Sequence, residues 1–303
     1  MDVKNKLLVI IQGATGIGKT DTTIDLAIHF GSEIISCDSR QFYKELNIGT
    51  ATPTHEQLGA VPHHLIGHIS ITDNYNSYQF EQDSLLILNK LFEHKEVVFM
   101  TGGSGLYIDA VCNGIDLIPD INEDIRTALN NKFIEEGLDS LQTELKIIDP
   151  EYYSIVDLKN QKRLIRAIEV YQQTGKPYSH FRSNAQKKRD FTILKISLER
   201  PREELYQRIN QRVIQMIDSG LENEARSLIA YRELNALNTV GYKEMFEYIE
   251  GKITLDKAIE LIQRNSRHYA KKQISWFKRD LHSTWLHPSD IEGIMKSIKT
   301  LLQ

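Results

Sequence analysis

The chain has 303 residues, 41% hydrophobic and 26% charged, enough to bury a large core and to form one α/β domain with an appended one. Its two cysteines, Cys37 and Cys112, show no C-x-x-C spacing and no histidine cluster has metal-ligand intervals, which excludes a disulfide framework and a zinc site. No signal pattern and no run of membrane-spanning length is present, so a soluble cytoplasmic protein without a membrane partner is expected; the net charge of −4 disfavours nucleic acid only as an average.

In chain order, the apolar run 7–11 reads as a buried strand. Directly after it stand Gly13, Ala14, Thr15, Gly16, Ile17, Gly18, Lys19 and Thr20, a complete G-x-x-x-x-G-K-[ST] loop. Glycines let the backbone curl so that its N–H groups face phosphate oxygens, Lys19 supplies a point charge, and the Thr20 hydroxyl can ligate Mg2+. Residues 21–29 read as a helix whose N-terminal dipole favours an anion at the same place. The loop thus points to a polyphosphate with magnesium and leaves its identity open. Residues 33–38 form a second short strand ending in Asp38, and 77–93 a helix. A third strand, 96–100, runs into Thr101-Gly102-Gly103-Ser104-Gly105. Strands alternating with helices predict an α/β fold, a P-loop NTPase-like parallel sheet flanked by helices. Ligands of such sheets bind at the carboxyl ends of the strands, so the loop, Asp38 and the Gly102-Gly103-Ser104 turn should meet in one cleft.

After Pro119 the pattern turns helical: 122–136, 138–147 and 161–173, with Gly137 and Gly175 as C-terminal stops. This predicts a mainly helical insertion over 117–189, the core comprising 1–116 and 190–303. A strand returns at 192–198 and the remainder is mostly helical. Lys162, Arg163 and Arg166 ride the helix 161–173, whose buried side would be Leu164, Ile168 and Tyr171. Between 263 and 279 lie Arg264, Arg267, Lys271, Lys272, Lys278 and Arg279 with no acid; at the helical period they share one broad face, while Tyr269, Trp276 and Phe277 gather on the other. Two basic faces on an acidic chain suggest a localised footprint for a polyanion. The third strand ends in Thr-Gly-Gly-Ser where a hydrolytic NTPase carries an acid, which leaves Asp38 as the acidic candidate beside the loop. Kinase and other diphosphate chemistry both remain open on these features. His63 and His64 lack a third ligand at metal spacing and read as packing residues.

The loop together with Ile34-Ile35-Ser36-Cys37-Asp38-Ser39-Arg40-Gln41-Phe42-Tyr43, Asn47-Ile48-Gly49-Thr50-Ala51, Val61-Pro62-His63-His64-Leu65 and Gly102-Gly103-Ser104-Gly105-Leu106-Tyr107 resembles, in that order, the tRNA dimethylallyltransferases. The resemblance continues through Lys162-Arg163-Leu164-Ile165-Arg166-Ala167-Ile168-Glu169-Val170, Val240-Gly241-Tyr242-Lys243-Glu244 and Arg267-His268-Tyr269-Ala270-Lys271-Lys272-Gln273-Ile274-Ser275-Trp276-Phe277, so it spans essentially the whole chain. It implies transfer of a dimethylallyl group from dimethylallyl diphosphate to the exocyclic amine of the adenosine just 3′ of the anticodon, in the tRNA anticodon stem-loop, by an enzyme expected to act as a monomer. It implies Asp38 and Ser104 as catalytic residues, Arg208 and Arg212 as further diphosphate clamps, and Thr20 on Mg2+. The implied tRNA contacts are Asp38, Ser39, Arg40, Gln41, Ser104, Arg126, Lys162, Arg163, Leu164, Ile165 and Arg166. Ser104 stands where the family usually has threonine, and Gly67 where it often has an acid.

Overall fold

The computed structural model describes residues 5–119, 121–182 and 187–303. The chain divides into two compact units, Met1–Asn113 with Lys188–Gln303, and Gly114–Lys187, so the insertion lies within three residues of the expected boundaries.

In the first unit the chain runs β1 (Leu7–Gly13), α1 (Lys19–His29), β2 (Ile34–Ser36), α2 (His55–Ala60), β3 (His63–His64), α3 (Ser77–Leu91), β4 (Val97–Gly102) and α4 (Gly105–Asn113). The second unit holds α5 (Glu123–Glu136), α6 (Leu138–Ile148), α7 (Pro150–Tyr153), α8 (Gln161–Thr174) and α9 (Tyr178–Phe181). The first then resumes with β5 (Thr192–Leu198), α10 (Arg202–Asp218), α11 (Leu221–Leu228), α12 (Tyr242–Ile249), α13 (Leu255–Phe277), β6 (Thr284–Leu286) and α14 (Ile291–Leu302). The expected parallel sheet is present in the order β3-β2-β4-β1-β5-β6, with every pairing parallel. The two short outer strands, β3 and β6, carry too few alternating residues to be read from sequence.

Why β1 is central follows from its composition. All seven residues are buried, as a strand covered on both faces requires. Because side chains alternate, Leu7, Val9 and Ile11 enter one core layer with Leu26 of α1, Leu205 and Ile209 of α10 and Ile294 of α14. Leu8 and Ile10 enter the other, with Phe80 and Leu88 of α3 and Ile108 and Val111 of α4. A third apolar cluster joins α10 through α13, from Val213 to Tyr242, Met245 and Ile262. Strand order reverses at β1: the chain steps outward to β2 and β3 on one side, returns to β4 beside β1, then crosses to β5 on the other. That switch point opens a crevice above the carboxyl end of β1.

The second unit has a core of its own, formed by Leu129, Leu141, Leu145, Leu164, Ile165 and Ile168. Asn122 caps α5 by accepting from the Asp124 N–H, and Asn160 caps α8 by accepting from Arg163. Gly137 and Gly175 end their helices, as expected; Gly175 does so in the left-handed conformation, its N–H on the Tyr171 carbonyl at 2.7 Å.

Candidate active site

Past β1 the backbone turns through Gly16 (φ +77°) and Gly18 (φ +109°), conformations that other residues adopt only with strain. The turn delivers the chain into α1 at Lys19 with no side chain capping it. The first helical amide bond of α1 runs from Thr22 to the Gly18 carbonyl, so the N–H groups of residues 19–21 emerge at the positive end of the helix dipole. This is an anion site built from backbone. Lys19 Nζ lies against the loop and donates to the Ala14 carbonyl at 2.9 Å. Burial lowers its pKa to about 8; the Asp38 carboxylate works in the opposite direction and Arg212 adds to the depression.

Three arginines close on the same loop. Arg208 donates to the Gly16 carbonyl at 3.0 Å, and Arg212, one helical turn on, reaches Thr15 Oγ1 at 3.2 Å and the Thr50 carbonyl at 3.4 Å. Burial lowers the pKa of Arg212, again opposed by Asp38. Arg200 donates to the Ile17 carbonyl at 2.8 Å while its other end pairs with Glu204. Sequence reasoning missed Arg200, because in Glu199-Arg200-Pro201-Arg202 it reads as an ordinary cation before a helix.

The opposite wall is set by a close approach between strand ends. The Cys37 N–H donates to the Thr101 carbonyl at 2.7 Å, and Ser104 N–H to the Cys37 carbonyl at 3.3 Å. A Cβ on Gly102 would collide with that carbonyl, which is why glycine stands there. The Asp38 carboxylate accepts from the Arg40 N–H at 3.0 Å, an Asx turn, and also faces the cleft. Ser104 Oγ accepts from the Ser39 N–H at 3.0 Å and lies 3.2 Å from Ser39 Oγ. Thr15 of the loop and Asp38 line one cleft of about 480 Å³, with Ser39, Arg40, Arg212, Tyr269 and Lys272, and the Gly-Gly-Ser turn is tied to its wall through the Ser104–Ser39 contacts. Tyr269 is a correction to the expected apolar face of α13. The helix buries Ala258, Ile262, Ala270, Gln273 and Phe277, and Tyr269, on the flank of that stripe, faces the cleft. Desolvation along the cleft wall and the Asp38 charge push its phenol up to about 12, although 44% of its surface stays exposed.

Other expected contacts are already engaged. Arg40 donates to the carbonyls of Asn235 (2.8 Å) and Ala236 (3.2 Å), and Gln41 bridges Ser36 Oγ to the Thr50 and Ala51 carbonyls. Gln41 thus stabilises the wall and has no free amide donor turned to a ligand. In the second unit Glu169 accepts Arg126 in two hydrogen bonds (2.9 and 3.0 Å) and Arg166 at 2.7 Å. Leu164 (0% exposed) and Ile165 (6%) are core residues there, so their side chains cannot touch a polyanion; they hold α8 in place. Lys162 and Arg163 are exposed, as a phosphate-facing pair must be. His63 Nδ1 donates to the Val61 carbonyl at 2.7 Å and His64 Nε2 lies 2.7 Å from Glu33, the packing roles expected of them. Among the described residues no group of three or more His, Cys, Asp or Glu could hold a metal. The donor set at the loop, the half-buried Thr20 hydroxyl with no carboxylate cage, fits a magnesium ion that arrives with phosphate oxygens and keeps its waters.

Comparison with known proteins gives this geometry its context. Residues 41–280 match the family model described as IPP transferase. The tRNA dimethylallyltransferase 1 of Bacteroides fragilis is 51% identical over 98% of this chain and 99% of its own length. Among solved structures, the full-length tRNA isopentenylpyrophosphate transferase of Bacillus halodurans superposes with a TM-score of 0.71 at 35% identity, covering 99% of this chain and 97% of that one. A eukaryotic dimethylallyltransferase acting on tRNA gives 0.79 at 26% identity, covering 95% of this chain and 75% of that one. With half the residues shared along nearly the whole of both chains, and a phosphate loop facing a carboxylate across one cleft, the chain belongs to the IPP transferase family.

Proposed function

We propose that this protein transfers the dimethylallyl group of dimethylallyl diphosphate to N6 of the adenosine 3′ of the anticodon in tRNA, giving N6-(dimethylallyl)adenosine and diphosphate. The observation that carries the chemistry is the Asp38 carboxylate facing, in one cleft, a phosphate loop surrounded by Lys19, Arg208 and Arg212. An adenine amine is a weak nucleophile because its lone pair is delocalised into the ring. As the N6–C1 bond forms, Asp38 takes the N6 proton, and the C1–O bond breaks with its electron pair leaving on diphosphate. The N–H groups of residues 19–21, with Lys19 and Arg212, are oriented before reaction toward that growing charge. Magnesium on Thr20 would supply further neutralisation of the leaving group. The target nucleotide must be turned out of the anticodon loop to enter the cleft, which costs less than extrusion from a duplex. Tyr269 on the cleft wall offers a face on which a base can stack.

The two buried, unpaired cysteines, Cys37 and Cys112, suit a reducing cytoplasm. Among the described residues no helix is long and apolar enough to cross a membrane. The test is direct: unmodified tRNA, magnesium and either dimethylallyl diphosphate or ATP are supplied separately. Prenyl transfer with the first and no ATP requirement is expected; transfer that needs ATP, or robust ATP hydrolysis, would overturn the reading.

The depressed pKa of Lys19 sets a pH dependence. A bound diphosphate favours the ammonium, so binding is linked to protonation wherever free Lys19 is neutral. Below pH 8 the lysine is charged without ligand and affinity is flat. Above about 8, inorganic diphosphate affinity is expected to fall by up to about tenfold per pH unit. Lys19→Met should abolish this slope in a calorimetric titration between pH 7 and 9.5; a slope retained in the variant would assign it to another group.

The exposed cations give a separate expectation. Arg163→Ala and Lys271→Ala should each weaken tRNA binding and make its salt dependence shallower by about one unit of slope, with diphosphate affinity unchanged. Arg126→Ala and Arg166→Ala are poorer probes, since each leaves the buried Glu169 short of a partner. Unaltered tRNA affinity in both exposed variants at low and moderate salt would mark those faces as merely solvated.

A further inference from the structure

The last paired residues of β1 and β4 are Gln12 and Gly102; beyond them the ladder ends and the two chains separate into the phosphate loop and the Ser104 turn. One side chain reconnects them. Gln273 of α13, 7% exposed, accepts from the Thr15 N–H through Oε1 at 2.9 Å and donates from Nε2 to the Gly103 carbonyl at 2.9 Å.

We propose that Gln273 is a positioning residue for prenyl transfer: its single amide plane sets the phosphate loop at a fixed spacing from the Gly103-Ser104 turn, and so fixes the donor diphosphate relative to the target amine. Three observations support it. The Thr15 N–H is committed to Gln273, which leaves the loop's anion site to the N–H groups further along, so the amide decides which donors face the ligand. Gly103 is a glycine because a Cβ there would collide with the Gln273 amide nitrogen, so turn and helix are fitted to this contact. One turn along α13, Trp276 packs so closely on Gly105 that a Cβ there would collide with its indole, while its N–H donates to Asp109 at 3.2 Å. The helix is therefore docked on this turn without Gln273, and the amide acts on alignment in place of folding. The same helix turns Tyr269 and Lys272 to the cleft, so the strut and part of the acceptor wall move as one rigid element.

The inference rests on the transfer reading above, and the wild-type protein in the same assay tests that reading by itself. Gln273→Met keeps length and volume and removes both hydrogen bonds. With tRNA and dimethylallyl diphosphate saturating, its single-turnover transfer is expected to fall roughly a hundredfold, the cost of about an ångström of misplacement, while tRNA affinity stays within about twofold and melting remains cooperative. Gly103→Ala, which displaces the same amide, should show the same pattern, and the double variant Gly103→Ala/Gln273→Ala should be no slower than the slower of the single variants Gly103→Ala and Gln273→Ala. A Gln273→Met rate within about threefold of wild type, losses that multiply in the double variant, or a loss matched by a fall in folded protein would each overturn the proposal. If the wild-type protein itself transfers nothing, the functional reading fails, and the effect of Gln273→Met on inorganic diphosphate affinity then decides whether the strut shapes the loop: a change is expected, and none would overturn it.

Discussion

Asp38→Asn is expected to slow single-turnover prenyl transfer by about a hundred- to ten-thousand-fold while tRNA and diphosphate affinities stay near wild type. The substitution is clean because the asparagine carbonyl can still accept the Arg40 N–H that closes the turn, so the wall of the cleft keeps its shape. What disappears is the acceptor for the N6 proton. Removing the carboxylate also takes away the charge that opposes the depression of the Lys19 pKa, so the comparison belongs at or below neutral pH, where the lysine of the variant stays charged. A variant that prenylates at close to the normal rate would show that the base lies elsewhere. Collapse of diphosphate affinity together with the rate would show instead that Asp38 chiefly organises the metal.

Lys19→Ala is expected to lower transfer by about a hundred- to a thousandfold, the range for losing one oriented donor to developing negative charge, with tRNA binding largely intact. Lys19 is placed for this by burial: its Nζ rests on the Ala14 carbonyl, and desolvation makes the charge expensive until an anion arrives. Much of that desolvation strain is relieved when diphosphate binds and again as charge grows on the departing oxygen. Measuring rate and tRNA affinity on the same preparation separates this role from misfolding, in which both would fall together.

The phosphate loop was legible because its glycines and lysine are spaced by the geometry of one turn, with no dependence on distant residues. Asp38 and the Gly-Gly-Ser turn could be placed beside it because strand ends in a parallel sheet share an edge. What could not be read was set by contacts far apart in sequence. Gln273 looks like one polar residue on a basic helix until the loop it braces is seen 258 positions away, and Arg200 like a helix-start cation until its carbonyl partner on the loop is known. The same reason explains the misassigned face of α13: Tyr269, Trp276 and Phe277 share an apolar character, but only the third is fully buried, since the cleft opens where periodicity alone would put core. In the insertion, Leu164 and Ile165 stand among basic neighbours in one continuous motif, but a helix turns by 100° per residue and cannot offer five consecutive side chains to one ligand, so these two face the core.

The position of β1 in the sheet also has a consequence for biosynthesis. Leu7 stands in register between Val97 on one side and Thr192 on the other, and the whole insertion is encoded before the second of these. During translation at roughly 5–20 residues per second, one edge of the most apolar strand in the molecule stays without its neighbour for roughly ten to forty seconds after it emerges. An unpaired apolar edge is an aggregation template. The nascent chain should therefore depend on holdase chaperones until β5 has left the ribosome, and the phosphate loop waits 192 to 197 residues for its clamps Arg208 and Arg212 and 258 residues for its brace Gln273.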